Sequence, residues 1–228
     1  MRPEFSCHEN WRKRNLPHYD AAHKYQMITY RLADSLPADV LENIIKKCQQ
    51  IEQSVSGSTG GSPVNIDLIK YKAMIEKYLD VGRGSCLLGR TEYGRIIIIE
   101  NWHFFAGKRY DLLAYVVMPN HVHLLIKTYE DWPLSKVIQS WKSYTSHKIL
   151  QLERDRRAAS EPGSTDRVID DELGILWQRE YWDRFIRDER HFIDAVNYIH
   201  YNPVKAGLVK NEEDWLLSSA AKSSPTSE

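Results

Sequence analysis

The chain has 228 residues, 42% of them hydrophobic and 27% charged, with 31 basic and 31 acidic side chains. This length carries one large domain, or one ordinary domain with additions, and buries a proper core. Zero net charge excludes a uniformly basic polyanion binder, so any nucleic-acid contact must come from local patches. Three well-separated cysteines, Cys7, Cys48 and Cys86, exclude a disulfide framework and a zinc ribbon.

No apolar run approaches the ~18 residues of a membrane span, and the first residues, Met1 to His8, lack a secretory apolar stretch. The expectation is a soluble intracellular protein with no membrane partner. Residues 1–16 read as a polar arm that is basic at Arg12, Lys13 and Arg14. Tyr25 to Leu32 is aromatic and β-branched, a first strand. Asp34 to Pro37 has the form of a helix start, followed by a helix over Ala38 to Gln53. Ser54 to Pro63 is a loop by composition.

Asn65 to Asp80 is the next helix, with Leu68, Tyr71, Ile75, Tyr78 and Leu79 on one stripe and Gly82 to end it. Gly82-Arg-Gly84 is too short to hold phosphate and reads as a turn. Thr91 to Phe105 suits a buried helix, although Ile96 to Ile99 fits a strand equally well. Gly107 to Arg109 turns the chain into a strand over Asp111 to Met118.

After the break at Pro119-Asn120, His121 to Ile126 forms the partner strand. Side chains alternate along a strand, so Val122, Leu124 and Ile126 share one face while His121 and His123 share the other. Two imidazoles on one face can converge on a cation; hydrogen-bonded or surface histidines are the plainer alternative.

Leu134 opens an amphipathic helix with Leu134, Val137, Ile138, Trp141, Thr145 and Ile149 on one face. Its other face carries Lys136, Ser140, Ser143 and His147, a set suited to phosphate oxygens, and Lys142 adds to the run of positive charge without a carboxylate between Leu134 and Leu152. A solvated helix face accounts for the same pattern. Glu153 to Gly174 is charged, contains Pro162-Gly163 and reads as an excursion.

Trp177 to Arg190 mixes aromatics with arginines, among them Arg184 and Arg187. That composition fits base stacking and backbone contact on single strands, and equally a twisted edge strand with exposed charges. His191 to Asn202 is helical, with Phe192, Ala195, Val196 and Ile199 inward and Pro203 as its stop. Tyr198 and Asn202, four residues apart, stand on one flank of it. Residues 210–228 read as a polar tail.

His121-Val-His123 after Met118-Pro119-Asn120, joined to Lys142-x-Tyr144 and to Tyr198-x-x-x-Asn202-Pro203, resembles the REP-associated tyrosine transposases, a branch of the single-tyrosine HUH endonucleases. The resemblance runs from about Leu16 to Val209. It implies an α+β domain over 17–209: an antiparallel, ferredoxin-like or RRM-like palm with helices packed on one side and the reactive tyrosine on a C-terminal helix. The stretches 54–63 and 153–174 would be insertions.

Carried over by position, His121, His123 and Asn202 would bind a divalent ion, Mg²⁺ or Mn²⁺, and Tyr198 would attack a DNA phosphodiester. Tyr144 and Tyr201 are the competing phenols, and Tyr201 is rotated away from Tyr198 on the helix. The resemblance further implies single-stranded or hairpin DNA of the REP type as partner, a covalent 5′-phosphotyrosine intermediate, a monomer or homodimer, and a bacterial cytoplasmic, nucleoid-associated location. Lys136, Lys142, Arg12, Lys13, Arg14, Arg184 and Arg187 are the expected DNA contacts. Two other readings share these motifs: a domesticated hairpin-binding regulator that does not cut, and a histidine-triad nucleotide hydrolase, for which Leu125 stands where a third histidine belongs.

Overall fold

The computed structural model describes residues 11–13, 17–19, 23–37, 39–40, 42–43, 74–90, 92–160 and 174–222. Six strands are present among them: β1 (Trp11–Lys13), β2 (Pro17–Tyr19), β3 (Tyr25–Arg31), β4 (Tyr110–Val117), β5 (His121–Thr128) and β6 (Trp182–Phe185). β1 and β2 form a two-stranded ribbon, and the other four make an antiparallel sheet in the order β4-β5-β3-β6. The hairpin β4-β5 closes through Pro119-Asn120, with the Met118 N–H donating to the His121 carbonyl at 2.8 Å. Proline suits the first corner of such a turn because its ring presets φ.

β5 is buried on both faces from His121 to Ile126. Val122, Leu124 and Ile126 join Ile28, Tyr30, Trp102 and Trp141 in the larger core. That core is roofed by α1 (Glu100–Phe105), which continues a π-helical stretch over Glu92–Ile99, and by α2 (Leu134–Ser160). Helix therefore wins over strand at Ile96–Ile99: Ile97, Ile98 and Ile99 are buried while Ile96 is exposed, a pattern that winding around a helix gives and a period of two does not.

The opposite face carries Met27, Ala114, Val116 and Leu125, which pack on Ala195 and Ile199 of α3 (Glu189–Lys205). The expectation of helices on one side is thus corrected to helices on both. The reason lies in β4 and β5, whose second face is apolar apart from the histidines and needs its own cover.

Three further boundaries differ from expectation. α2 continues through Glu153 to Ser160 instead of dissolving into an excursion. Glu153 is 1% exposed, ion-paired with Arg90 and hydrogen-bonded by Tyr93 and Arg156, so a residue read as a loop charge is a buried anchor.

Pro203 lies inside α3, which ends at Lys205. A proline in the last turn ends nothing by itself; the stop comes at Gly207, whose φ of +72° takes the left-handed conformation at the helix end. The tail also packs. The Val117 N–H donates to the Leu217 carbonyl at 2.8 Å and the Ser219 N–H to the Tyr115 carbonyl at 3.0 Å, so residues 217–219 line the outer edge of β4.

Residues 74–80 are helical. They seat Ile75 and Leu79 against Leu36, and the Gly82 N–H donates back to the Leu79 carbonyl. Leu68, Tyr71, the loop at 54–63 and residues 161–173 lie outside the described residues.

Candidate active site

His123 sits mid-sheet, its Cα paired with Thr29 on β3 and with Val116 on β4. His121 and His123 project together toward α3, as alternation along β5 requires. Their Nε2 atoms are 3.1 Å apart, and the rings meet edge to face with centroids 4.8 Å apart. Each outer nitrogen is held. His121 Nδ1 lies 2.7 Å from Asn120 Oδ1, and His123 Nδ1 lies 2.7 Å from Thr29 Oγ1.

α3 is placed over this pair by Ala195 and Ile199 and capped at its start by the Asp188 side chain, which accepts from the His191 N–H. The Tyr198 ring stands edge-on to His123, centroids 5.3 Å apart. One turn later Asn202, 1% exposed, donates from Nδ2 to the Tyr198 carbonyl at 3.3 Å. Among the described residues, its Oδ1 is a buried acceptor with no donor. Such an orphan is costly in a core.

Burial keeps His121 and Tyr198 in their neutral forms. Burial, with the Lys205 charge adding to it, pushes His121 down to about 3, so it is a neutral imidazole and a competent ligand. Burial pushes the Tyr198 phenol well above its ordinary range; the charges of Glu76 and Asp80 add to this, while Asn202 works the other way. Lys205 pairs with Asp80 at 2.8 Å and lies 5.8 Å from the centre of the Tyr198 ring.

The chemistry of this donor set fits a divalent ion. Two nitrogens bound at right angles to an octahedral ion at about 2.1 Å stand about 3 Å apart, close to the spacing of the Nε2 pair. The unpartnered Asn202 Oδ1 is an oxygen donor of the kind Mg²⁺ and Mn²⁺ accept.

The other expected residues fall apart from this centre. Tyr201 and Tyr144 are exposed. Lys136 is exposed on α2, and Arg184 and Arg187 are exposed on and after the edge strand β6. Trp177, by contrast, is a core residue that donates to Thr145 Oγ1 at 2.9 Å. Lys142 departs from expectation: its Nζ donates to the carbonyls of Gln178, Arg179 and Glu180 at 2.9, 3.3 and 3.2 Å. Three donors on three carbonyls leave none for a phosphate. Arg12 and Lys13 lie in β1, and Arg14 is outside the described residues.

Thr29, Glu76, Asp80 and Lys205 join the site without having been singled out in the sequence, and Asn120 joins it from the motif before the histidines, where it had been given no role. Lys205 had a signal, since 198, 202 and 205 follow one flank of a helix. Glu76 and Asp80 come from a distant segment that no local spacing connects to the histidines.

Residues 101–202 match the family described as Transposase IS200 like. The motif resemblance to the REP-associated tyrosine transposases is borne out by particular relatives. The chain is 30% identical over 115 residues to a "Putative REP-associated tyrosine transposase" of Haemophilus influenzae, covering 48% of this chain and 58% of that protein. It is 27% identical over 109 residues to a "REP-associated tyrosine transposase" of Escherichia coli, covering 48% of this chain and 53% of the relative. The chain therefore spans a little over half the length of these curated relatives. A solved structure described as "Structure of the REP associates tyrosine transposase bound to a REP hairpin" superimposes with a TM-score of 0.52 at 18% identity, covering 91% of this chain and 82% of the other. It establishes the shared fold.

Proposed function

We propose that this chain is a metal-dependent single-stranded DNA endonuclease and strand transferase that acts at hairpin DNA through Tyr198. The observation that carries this reading is the meeting of Tyr198 with His123 beside the Nε2 pair and the unpartnered Asn202 Oδ1. The relatives' names and the hairpin in the neighbouring structure support the substrate class.

His121, His123 and Asn202 would hold Mg²⁺ or Mn²⁺, which when bound would supply charge neutralisation at the phosphate. α3 aims the phenol. The Tyr198 oxygen forms a bond to phosphorus, the bond from phosphorus to the 3′-oxygen breaks, and the tyrosine proton is in net transferred to the departing 3′-oxygen. The product is a 5′-phosphotyrosine and a free 3′-hydroxyl. Because the bond count is conserved, a 3′-hydroxyl from another strand reverses the step and joins the ends without an outside energy source. Burial holds the phenol protonated at rest, so activation belongs to the DNA-bound state.

Incubating the full chain with a single-stranded hairpin oligonucleotide and Mn²⁺ is expected to give an adduct that survives a denaturing gel. Tyr198→Phe is expected to abolish the adduct while hairpin binding persists. An adduct from Tyr198→Phe overturns the assignment of the nucleophile, and hairpin binding by the wild type without any adduct identifies a non-cleaving regulator.

A further inference from the structure

Asn120 is fully buried at the β4-β5 turn. Its Nδ2 donates to the Leu79 carbonyl at 3.2 Å and to the Arg83 carbonyl at 3.0 Å. Both N–H bonds of the amide are thereby used, and a flipped amide would set its oxygen against two carbonyl oxygens. The orientation is therefore determined by the network: Oδ1 faces His121 Nδ1 at 2.7 Å. An amide oxygen only accepts, so His121 Nδ1 must carry the proton, and in the neutral ring Nε2 is then bare. The bare nitrogen is the one that faces His123. Leu79 and Arg83 precede residues 101–202, the span of the family match, so a segment outside that span sets the state of a residue within it.

We infer that Asn120 is a positioning residue that holds His121 in its Nδ1–H tautomer, with Nε2 presented as a ligand, and that it does so by hanging from the Leu79 carbonyl, near the end of the helical residues 74–80, and the Arg83 carbonyl in the turn after them. Outer partners of a metal-binding imidazole determine which nitrogen is available, and their loss commonly weakens metal affinity 10- to 100-fold. The metal half of this inference rests on the function proposed above; the tautomer half does not.

The test uses the full chain labelled with ¹⁵N-histidine and stripped of metal, with His121 assigned by its absence from a His121→Gln spectrum. Long-range ¹H–¹⁵N correlations are expected to show a protonated Nδ1 and a bare Nε2 at His121 in the wild type. Asn120→Ala is expected to mix or invert the two forms. By electron paramagnetic resonance of free Mn²⁺, Asn120→Ala should bind the ion at least tenfold more weakly.

The wild-type spectrum decides even if the variants fold poorly: a proton on His121 Nε2 overturns the inference. So does an Asn120→Ala protein with an unchanged tautomer and unchanged Mn²⁺ affinity. A wild type with the expected tautomer that takes up no Mn²⁺ overturns the metal part of the proposed function while supporting the assignment of Asn120 as the tautomer anchor.

Discussion

Among the described residues, the buried hydroxyl of Tyr198 has no hydrogen bond of ordinary length, and the charge of Glu76 disfavours its ionisation. Ionising a phenol in such a place costs both hydration and repulsion from the neighbouring carboxylate. Removing the charge by Glu76→Gln should raise the phenolate population and speed adduct formation several-fold near neutral pH. Single-turnover kinetics on a hairpin oligonucleotide would measure it, and a slower reaction would instead make Glu76 the acceptor of the tyrosine proton. Thr29 differs in kind from Asn120, because a hydroxyl both donates and accepts. It can follow His123 between tautomers where the amide oxygen of Asn120 cannot follow His121.

The elements are tied to one another by a few buried charges. Glu153 fastens α2 to the π-helical stretch through Arg90 and Tyr93. Burial pushes its carboxyl up, but the hydrogen bonds from Tyr93 and Arg156 and the charges of Arg90 and Arg156 outweigh that and hold it below the usual value. A carboxyl lower in the folded state stabilises the fold above its unfolded pKa of about 4.5 and loses that contribution as pH falls through the folded value. Glu153→Gln should therefore cost about 2–3 kcal/mol at pH 7, with the gap to wild type narrowing as the pH falls below the unfolded value of about 4.5 in denaturant titrations.

Lys142 ties α2 to the irregular segment leading into β6. Burial pushes its ammonium down to about 8, a further sign that it faces inward. The exposed Lys136 is the better candidate for a phosphate contact. Lys136→Ala should lower the slope of log affinity against log salt for hairpin DNA by about 0.7–1, and Lys142→Met should leave that slope unchanged while lowering the melting temperature.

At the scale of the whole molecule, the tail closes the sheet. Trp215 Nε1 donates to the Val117 carbonyl at 2.9 Å, Leu217 enters the larger core, and Ser219 Oγ meets His200 of α3 at 2.8 Å. The contact is close enough that a Cβ on Gly94 would lie 2.7 Å from Leu217 Cδ1. Ending the chain after Val209 should thus destabilise the protein by about 3 kcal/mol or more, read as an earlier urea midpoint. Unchanged stability would restore the tail to the loose polar segment that its composition suggests.

The histidine pair, the tyrosine and the amide were legible in the sequence because each pair lies on one element, where the strand period of two and the helical turn dictate which side chains are neighbours. The sheet was legible for the same reason, in the alternation of β5 and the apolar run of β4. The meeting of β5 with α3 could not be read from periodicity, since it depends on how Leu125 and Val116 pack against Ile199, and it came only through the motif resemblance. Tertiary structure alone turned Glu153 and Lys142 inward, carried α3 past Pro203, docked residues 217–219 on β4 and brought Glu76, Asp80 and the carbonyls of Leu79 and Arg83 to the site. A charge is read as exposed until its partners are known, and those partners lie 63, 36 and 41 residues away for Arg90 with Glu153, Lys142 with Gln178 and Asn120 with Leu79. Local patterns determine neighbours within an element; contacts at such separations are decided by the packing of the folded chain.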